Sequence, residues 1–117
     1  MATTVERGHE GEERALVYLK KQGYTLLERN FRSRFGEIDI IASEGGYTVF
    51  VEVKLRNVSS FGTSLESISA EKRRRLIKTA HFYLKQKKAY DKKVRFDVLG
   101  IDGPDVKLVK NAFLVEE

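Results

Sequence analysis

Two strand-like runs around a Gly-Gly pair, over residues 36–56, constrain the fold more than any other feature of this sequence. The first run reads GEIDIIASE and the second reads YTVFVEVKLR. Strand-like runs joined by two glycines predict a β-hairpin with a two-residue primed turn. With Gly45 and Gly46 in the turn, Glu44 lies opposite Tyr47, and the register of the whole hairpin follows from that pair.

This register places acidic side chains next to each other. Counting back from the turn, Asp39 lies opposite Glu52, and Glu37 lies opposite Lys54. Because side chains alternate along a strand, Lys54 and Phe50 share one face with Glu52. Like charges directly opposite each other destabilise a sheet. Asp39 and Glu52 therefore predict a site for a divalent cation rather than a solvated polar face.

The composition is that of one folded domain spanning residues 1–117. The chain is 41% hydrophobic and 33% charged, with a net charge of +5. An excess of positive charge favours a polyanionic partner. The chain has no cysteine, which excludes disulfides, thiolate metal sites and a cysteine nucleophile. Neither an apolar signal segment nor a membrane-spanning run is present, so we expect a cytoplasmic protein that binds no membrane.

The order of predicted elements is α-β-β-β-α-β-β. Two helices are predicted over 5–21 and 70–88, and strands outside the hairpin over 24–32, 94–101 and 106–115. The helix between the third and fourth strands predicts a right-handed crossover and one parallel pair. We therefore expect an α/β fold whose central mixed sheet is flanked by helices.

The first helix carries a glutamate on its inward side. Small and apolar residues recur there with helical spacing, from Gly11 through Ala15 and Leu16 to Leu19, and Glu12 falls on that stripe. A glutamate on the core side of a helix is costly unless it is paired or coordinates an ion. Glu12 is therefore either a further metal ligand or the partner of a buried arginine.

The chemistry that fits these residues is metal-assisted hydrolysis of a phosphodiester. Mg²⁺ prefers oxygen ligands and needs only one or two protein carboxylates, which Asp39 and Glu52 supply, with Mn²⁺ as a substitute. The ion acidifies a bound water and neutralises the phosphate. Lys54 positions the nucleophile or stabilises charge in the transition state. The candidate catalytic residues are therefore Asp39, Glu52, Lys54 and Glu12.

Basic residues crowd the second predicted helix and its end. Ten lysines and arginines occur between residues 71 and 93, against two acidic residues. Such runs are often solvated helix faces, but this surplus favours contact with phosphates. Arginines near the ends of the hairpin extend the set. The candidate nucleic-acid-binding residues are Lys72, Arg73, Arg74, Arg75, Lys78, Arg32, Arg34 and Arg56.

These motifs carry a resemblance to a known family. Asp39 followed by Glu52-Val53-Lys54, with Glu12 on a preceding helix, resembles the PD-(D/E)xK nuclease superfamily, although Ile38 stands where that superfamily often has proline. The whole chain resembles the YraN-like family of small bacterial proteins, which is similar to archaeal-type Holliday junction resolvases. The stretches that match are Gly11-Glu12, Gly23-Tyr24, 29–32, 36–39, 51–56, 95–98 and 111–113.

The resemblance implies a restriction-endonuclease-like fold. It also implies a Mg²⁺-dependent, structure-selective endonuclease that cuts DNA, for which branched and flapped DNA are the candidate substrates. Similarity to resolvases also implies a homodimer. Two other readings stay open: a nucleic-acid-binding module that keeps the fold without turnover, and an adaptor whose basic surface docks an acidic protein. His81 is expected in the core beside Ile77 and Leu84, and Asp97 is expected to pair with a neighbouring arginine.

Overall fold

The chain folds as two helices and a five-stranded mixed sheet, in the predicted order. The computed structural model describes residues 4–56, 68–89 and 92–113, and it describes no side chain among residues 4–9 nor that of Arg56. The elements are α1 (Thr4–Lys21), β1 (Thr25–Ser33), β2 (Gly36–Glu44), β3 (Tyr47–Arg56), α2 (Ala70–Gln86), β4 (Lys93–Asp102) and β5 (Asp105–Val109). Most of the loop between β3 and α2 lies outside the described residues, and neither described helix is long and apolar enough to cross a bilayer.

The strands lie in the order β1-β2-β3-β4-β5. β3 and β4 are parallel, and the other neighbours are antiparallel. The predicted parallel pair across the helical crossover is thus confirmed. β3 is the middle strand and carries apolar side chains on both faces, because a helix covers each face.

Each face of the sheet has its own apolar core. On one face α2 packs against β2, β3 and β4, where Phe50 and Phe96 stack with ring centroids 5.4 Å apart. On the other face α1 packs through Ala15, Leu16 and Leu19. The inward stripe predicted for the first helix is therefore confirmed.

The last strand is shorter than predicted. The pattern indicated a strand to residue 115, but β5 ends at Val109. Asn111 takes a left-handed backbone with φ of 53°, and the N–H of Ala112 donates to the carbonyl of Phe96 at 2.7 Å. The chain therefore turns back onto β4, while residues 114 and 115 lie outside the described range.

The hairpin turn has the predicted register. Gly45 and Gly46 both have positive φ, at 59° and 84°, as a type I′ turn requires. Glu44 pairs with Tyr47, and the described ladder continues down to Ile40 opposite Val51.

Beyond Ile40, β2 stays paired with β1 and leaves β3. The predicted position of Glu37 opposite Lys54 is consequently wrong. Glu37 instead pairs with Arg32 of β1, whose Nε lies 3.4 Å from a Glu37 carboxylate oxygen. Asp39 is the first residue past the end of the β2–β3 ladder.

Candidate metal centre

Asp39 lies where the side-chain alternation of β2 is broken. Ile38 and Ile41 both belong to the core under α2, although strict alternation puts residues three apart on opposite faces. On the neighbouring strand β1, Asn30 has a left-handed φ of 51° at the same level. This irregularity lets the Asp39 carboxylate reach across to β3, where its Oδ2 accepts a hydrogen bond from the N–H of Val53 at 2.9 Å.

Two carboxyl groups meet at this point. Burial first, and then the hydrogen bond with Glu52 and the charge of Glu52, raise the pKa of Asp39 to about 7, against the lowering effects of the Val53 N–H and Lys72. The hydrogen bond places the two carboxyl groups in contact, although Asp39 lies past the end of the β2–β3 ladder. Because like charges in a low-dielectric site cannot both ionise freely, the pair holds a proton near neutral pH. A divalent cation in its place would satisfy both groups.

Glu52 has a second partner that the sequence did not indicate. Its side chain is only 13% exposed, and Lys72 Nζ lies 3.2 Å from its Oε2. Lys72 occupies the first turn of α2 because Ser69 caps that helix, its hydroxyl accepting from the Lys72 N–H. Lys72, predicted as a phosphate contact, is thus also an ion-pair partner inside the candidate metal centre. Ser69, a residue type that favours the N-cap position, is the sequence signal that could have placed Lys72 there.

Lys54 follows Glu52 by two residues on β3 and is half-buried. Alternation puts it on the same face as Glu52, the face covered by α2. Asp39, Glu52 and Lys54 are therefore positioned by one hairpin.

Glu12 approaches the same end of the sheet from the other face. A Cβ built on Gly11 would overlap the side chain of Leu55, so α1 lies directly against the last residues of β3. The Glu12 Oε2 atom is buried and accepts no hydrogen bond from the described part of the chain. Such an oxygen is costly unless it is bonded or coordinates an ion.

These carboxylates do not form a ready-made cluster of three. Within residues 10–55, 68–89 and 92–113, no group of three or more histidine, aspartate or glutamate side chains is arranged to hold a metal ion. Glu12 lies on α1, and Lys72, the ion-pair partner of Glu52, lies on α2, which covers the opposite face of the sheet. Glu12 as a metal ligand stays a prediction.

The basic residues form a surface along α2 that begins at the candidate metal centre. Arg73, Arg74, Arg75 and Lys78 are exposed, as are Arg32 and Arg34 near the β1–β2 turn. Between the two elements lies a cavity of about 200 Å³, lined by Gly36, Glu37, Lys72, Arg75 and Leu76. The Arg56 side chain lies outside the described residues, so its predicted role stays a prediction.

The predicted pairing of Asp97 with a neighbouring arginine is confirmed, on β4, two strands from Asp39. Its buried carboxylate accepts hydrogen bonds from Tyr24 Oη at 2.6 Å, Arg95 Nε at 2.9 Å and the Asn111 N–H at 2.9 Å. Burial first, and then Asp97, raise the pKa of Tyr24. Because these partners satisfy Asp97 within the fold, its role is structural.

Comparison with known proteins identifies the family. The model of a family described as "Uncharacterised protein family UPF0102" matches residues 11–101. A UPF0102 protein of Persephonella marina is 50% identical over 107 residues, covering 92% of each chain. UPF0102 proteins of Caldicellulosiruptor saccharolyticus and Shewanella loihica are 45% and 44% identical, over 92% and 96% of this chain and 97% of each relative. The chain therefore belongs to the UPF0102 family, the YraN-like family that its motifs resemble.

Proposed function

We propose that this protein is a metal-dependent endonuclease of the PD-(D/E)xK type that hydrolyses phosphodiester bonds in DNA. One observation carries the proposal: the half-buried Asp39 carboxyl contacts Glu52 where β2 and β3 separate, and its pKa is raised to about 7. Buried carboxyl pairs with perturbed pKa values are more common at functional sites than elsewhere. The resemblance of Asp39, Glu52 and Lys54 to the superfamily motif supports the same reading.

The residues present fit Mg²⁺ or Mn²⁺. Hard divalent ions take carboxylate oxygens and keep several waters, so two protein ligands suffice. Asp39 and Glu52 would hold the ion, and the unbonded buried oxygen of Glu12 is the candidate for a further contact. When bound, the ion lowers the pKa of a water and offsets the charge of the phosphate.

The protein's own groups would do the rest of the work. The Val53 N–H holds the Asp39 carboxylate in a fixed orientation, so the site does not have to reorganise on binding. Lys54, on the face of Glu52, would donate to an oxygen of the scissile phosphate and stabilise the charge that develops there. Exposed arginines on α2 would contact neighbouring phosphates and set the position of the strand.

The substrate class follows from the kind of contact available. Arginine and lysine side chains reaching phosphates read the backbone and its shape rather than base sequence. We therefore propose a structure-selective enzyme, with branched or flapped DNA among its substrates. By resemblance to resolvases, which cut two strands symmetrically, we also propose that it acts as a homodimer.

The test is a panel of linear, flapped and four-way DNA and RNA substrates, incubated with Mg²⁺, Mn²⁺ or EDTA. We expect cleavage only with a divalent cation, and we expect Asp39→Asn and Lys54→Ala to abolish it while nucleic-acid binding persists. Asp105→Asn and Lys20→Ala are matched controls, because these side chains are exposed on β5 and on α1. Cleavage that survives in both site variants would refute the assignment.

A second candidate is a nucleic-acid-binding module without turnover. The Lys72–Glu52 ion pair favours it, because an ammonium already occupies one of the two carboxylates. This candidate expects tight, salt-sensitive binding to the basic surface of α2, with no cleavage in either cation. Thermal melts distinguish the two, because only the nuclease reading expects Mg²⁺ or Mn²⁺ to stabilise the wild-type protein and not Asp39→Asn.

A further inference from the structure

A larger groove lies between the β1–β2 turn and the second half of α2. Its volume is about 630 Å³, and its lining residues are Arg34, Phe35, Lys78, His81, Phe82, Lys85 and Gln86. His81, expected in the core, is exposed here instead. The buried residues of α2 are Leu76, Thr79, Ala80 and Tyr83, so His81 projects from the helix toward solvent.

The groove combines exposed aromatic surface with positive charge. Phe82 is 41% exposed, which is high for a phenylalanine beside the core. The Phe35 ring already binds cations, since Arg34 Cζ lies 5.0 Å and Lys78 Nζ 5.8 Å from its centroid. Three basic side chains and no acidic one line the groove among the described residues.

The Phe35 side of the groove is held in place by hydrogen bonds. The Phe35 N–H donates to Ser33 Oγ at 3.1 Å, and Ser33 Oγ donates to Thr79 Oγ1 at 3.3 Å. Thr79 in turn donates to the carbonyl of Arg75 at 2.8 Å. The turn that carries Phe35 is thereby fixed to α2, and a ligand would meet a site that is already formed.

The groove continues the path that starts at the candidate metal centre. Lys72, Lys78 and Lys85 lie along α2, and at 1.5 Å per residue Lys78 and Lys85 are about 9 and 20 Å from Lys72. A strand with a phosphate every 3.4 Å covers that distance in about three to six nucleotides. The cavity beside Lys72 and Arg75 lies between the two sites.

We propose that this groove binds an unpaired nucleotide of the substrate strand. The base lies against Phe35 and Phe82, and the flanking phosphates contact Arg34, Lys78 and Lys85. Aromatic faces stack on any base, and cationic side chains beside them bind the backbone, which is the pattern of single-strand recognition. A paired base cannot enter without leaving its stack, so the groove selects substrates with unpaired nucleotides a few positions from the cut. The selectivity of cleavage rests on the proposed nuclease function, whereas the binding itself does not.

The binding test uses fluorescence anisotropy in EDTA with three DNA duplexes: one blunt, one with a short single-stranded overhang, and one with an abasic overhang of equal length. Phe35→Leu should weaken binding to the overhang that carries bases by about 5-fold or more, because it removes one stacking partner. Binding to the abasic overhang should change by less than about 2-fold, because the phosphates remain. Tyr18→Leu, which alters a half-buried aromatic on α1, is the matched control and should leave all three affinities unchanged.

The charge half of the proposal has its own prediction. Lys78→Ala should weaken both overhangs equally, whereas Lys20→Ala on the exposed side of α1 should weaken neither. Phe82→Leu serves as the second aromatic variant if Phe35→Leu melts at a lower temperature than the wild type.

A Phe35→Leu or Phe82→Leu protein that is folded and keeps the preference for an overhang carrying bases overturns the proposal. So does a loss of affinity that is equal for the abasic overhang. The nuclease hypothesis can fail separately. If Phe35→Leu has a base-dependent effect on binding but no substrate is cleaved, the groove proposal is supported and the nuclease function is refuted. If cleavage depends on Asp39 but Phe35→Leu has no base-dependent effect on binding, the nuclease function is supported and the groove proposal is refuted.

Discussion

Replacing Asp39 by asparagine should stabilise the metal-free protein at alkaline pH. The folded state raises the pKa of this carboxyl from its ordinary value of 3.8 to about 7, through burial and then through Glu52. The native protein therefore holds the proton more tightly than the unfolded chain. The stabilising contribution is complete below about pH 3.8, falls as the pH rises, and is lost above about pH 7. An asparagine does not ionise and carries no such penalty.

The size of the effect follows from the pKa. A shift from 3.8 to about 7 corresponds to about 4 kcal/mol at 1.4 kcal/mol per pKa unit. The asparagine amide must still be buried beside Glu52, although it can accept from the Val53 N–H and donate to the Glu52 carboxylate. We therefore expect about half of that value, about 2 kcal/mol. At about 4 °C per kcal/mol for a domain of this size, the melting temperature should rise by about 8 °C.

The assay is thermal unfolding by circular dichroism in EDTA, at about pH 5 and about pH 8.5, on either side of the pKa of Asp39 in the folded protein. Asp39→Asn should exceed the wild type by about 8 °C at the higher pH and by little at the lower pH. Asp105→Asn, an exposed carboxylate on β5, should show neither effect. If Asp39→Asn melts below the wild type at the higher pH, then favourable contacts hold Asp39 ionised and the argument for a strained carboxyl pair fails.

Three further predictions concern Glu12, the Lys72–Glu52 ion pair and the hydrogen bonds of Asp97. Glu12→Met should stabilise the fold in EDTA by about 1–2 kcal/mol, because it removes a buried oxygen without a described hydrogen bond. It should also reduce the stabilisation of the protein by Mn²⁺. Melting temperatures that do not change with or without Mn²⁺ would argue against both the cost of the buried oxygen and its role as a metal ligand. Lys72→Ala should lower the Mn²⁺ concentration that gives half of the maximal thermal stabilisation by up to about 5-fold, because the ammonium no longer competes for Glu52. Weaker Mn²⁺ binding in this variant would mean that Lys72 supports the site. Asp97→Ala should cost about 3–5 kcal/mol in urea unfolding, because it leaves the Tyr24 hydroxyl, Arg95 Nε and the Asn111 N–H without their shared acceptor. A cost below about 1 kcal/mol would contradict the structural role.

The hairpin could be predicted in detail because its determinants are local. Two glycines with positive φ fix the turn, and each later pair follows by counting until Ile40 meets Val51. Counting fails at Asp39, where β2 stops pairing with β3 and keeps its pairing with β1. That divergence depends on a neighbouring strand and on packing under α2, which the hairpin sequence does not encode. Asp39 still contacts Glu52 because its carboxylate, rather than a backbone carbonyl of β2, accepts the hydrogen bond from the Val53 N–H.

The helices were predicted from their apolar stripes. The error at His81 arises because the apolar stripe of α2 is narrower than predicted. On α2 the buried positions are Leu76, Thr79, Ala80 and Tyr83, which follow a spacing of three and four. His81 lies one residue past Ala80, about 100° further around the helix, and is therefore exposed rather than buried. The groove beside it could not be predicted, because the Ser33–Thr79 hydrogen bond and the contact of Lys78 with the Phe35 ring join distant parts of the chain.

Lys72 connects the two proposed sites, since its ammonium can neutralise Glu52 or a phosphate but not both fully. Its Nζ lies 3.2 Å from Glu52 Oε2, and its side chain is 42% exposed. A divalent cation held by Asp39 and Glu52 would take over that carboxylate and leave the ammonium for the nucleic acid. We therefore expect cation and DNA to strengthen each other's binding, since such coupling is reciprocal.

The Lys54→Ala variant allows this coupling to be measured if, as proposed, it binds without cutting. Its affinity for an overhang duplex, measured by anisotropy, should be about 5-fold higher in Mg²⁺ than in EDTA at matched ionic strength. Adding Lys72→Ala should remove most of that difference, while adding Lys20→Ala on α1 should preserve it. Equal affinities in Mg²⁺ and EDTA would mean that Lys72 stays with Glu52 when DNA binds. The ion pair would then be a structural element that closes the site, which is the arrangement expected of a binding module without turnover.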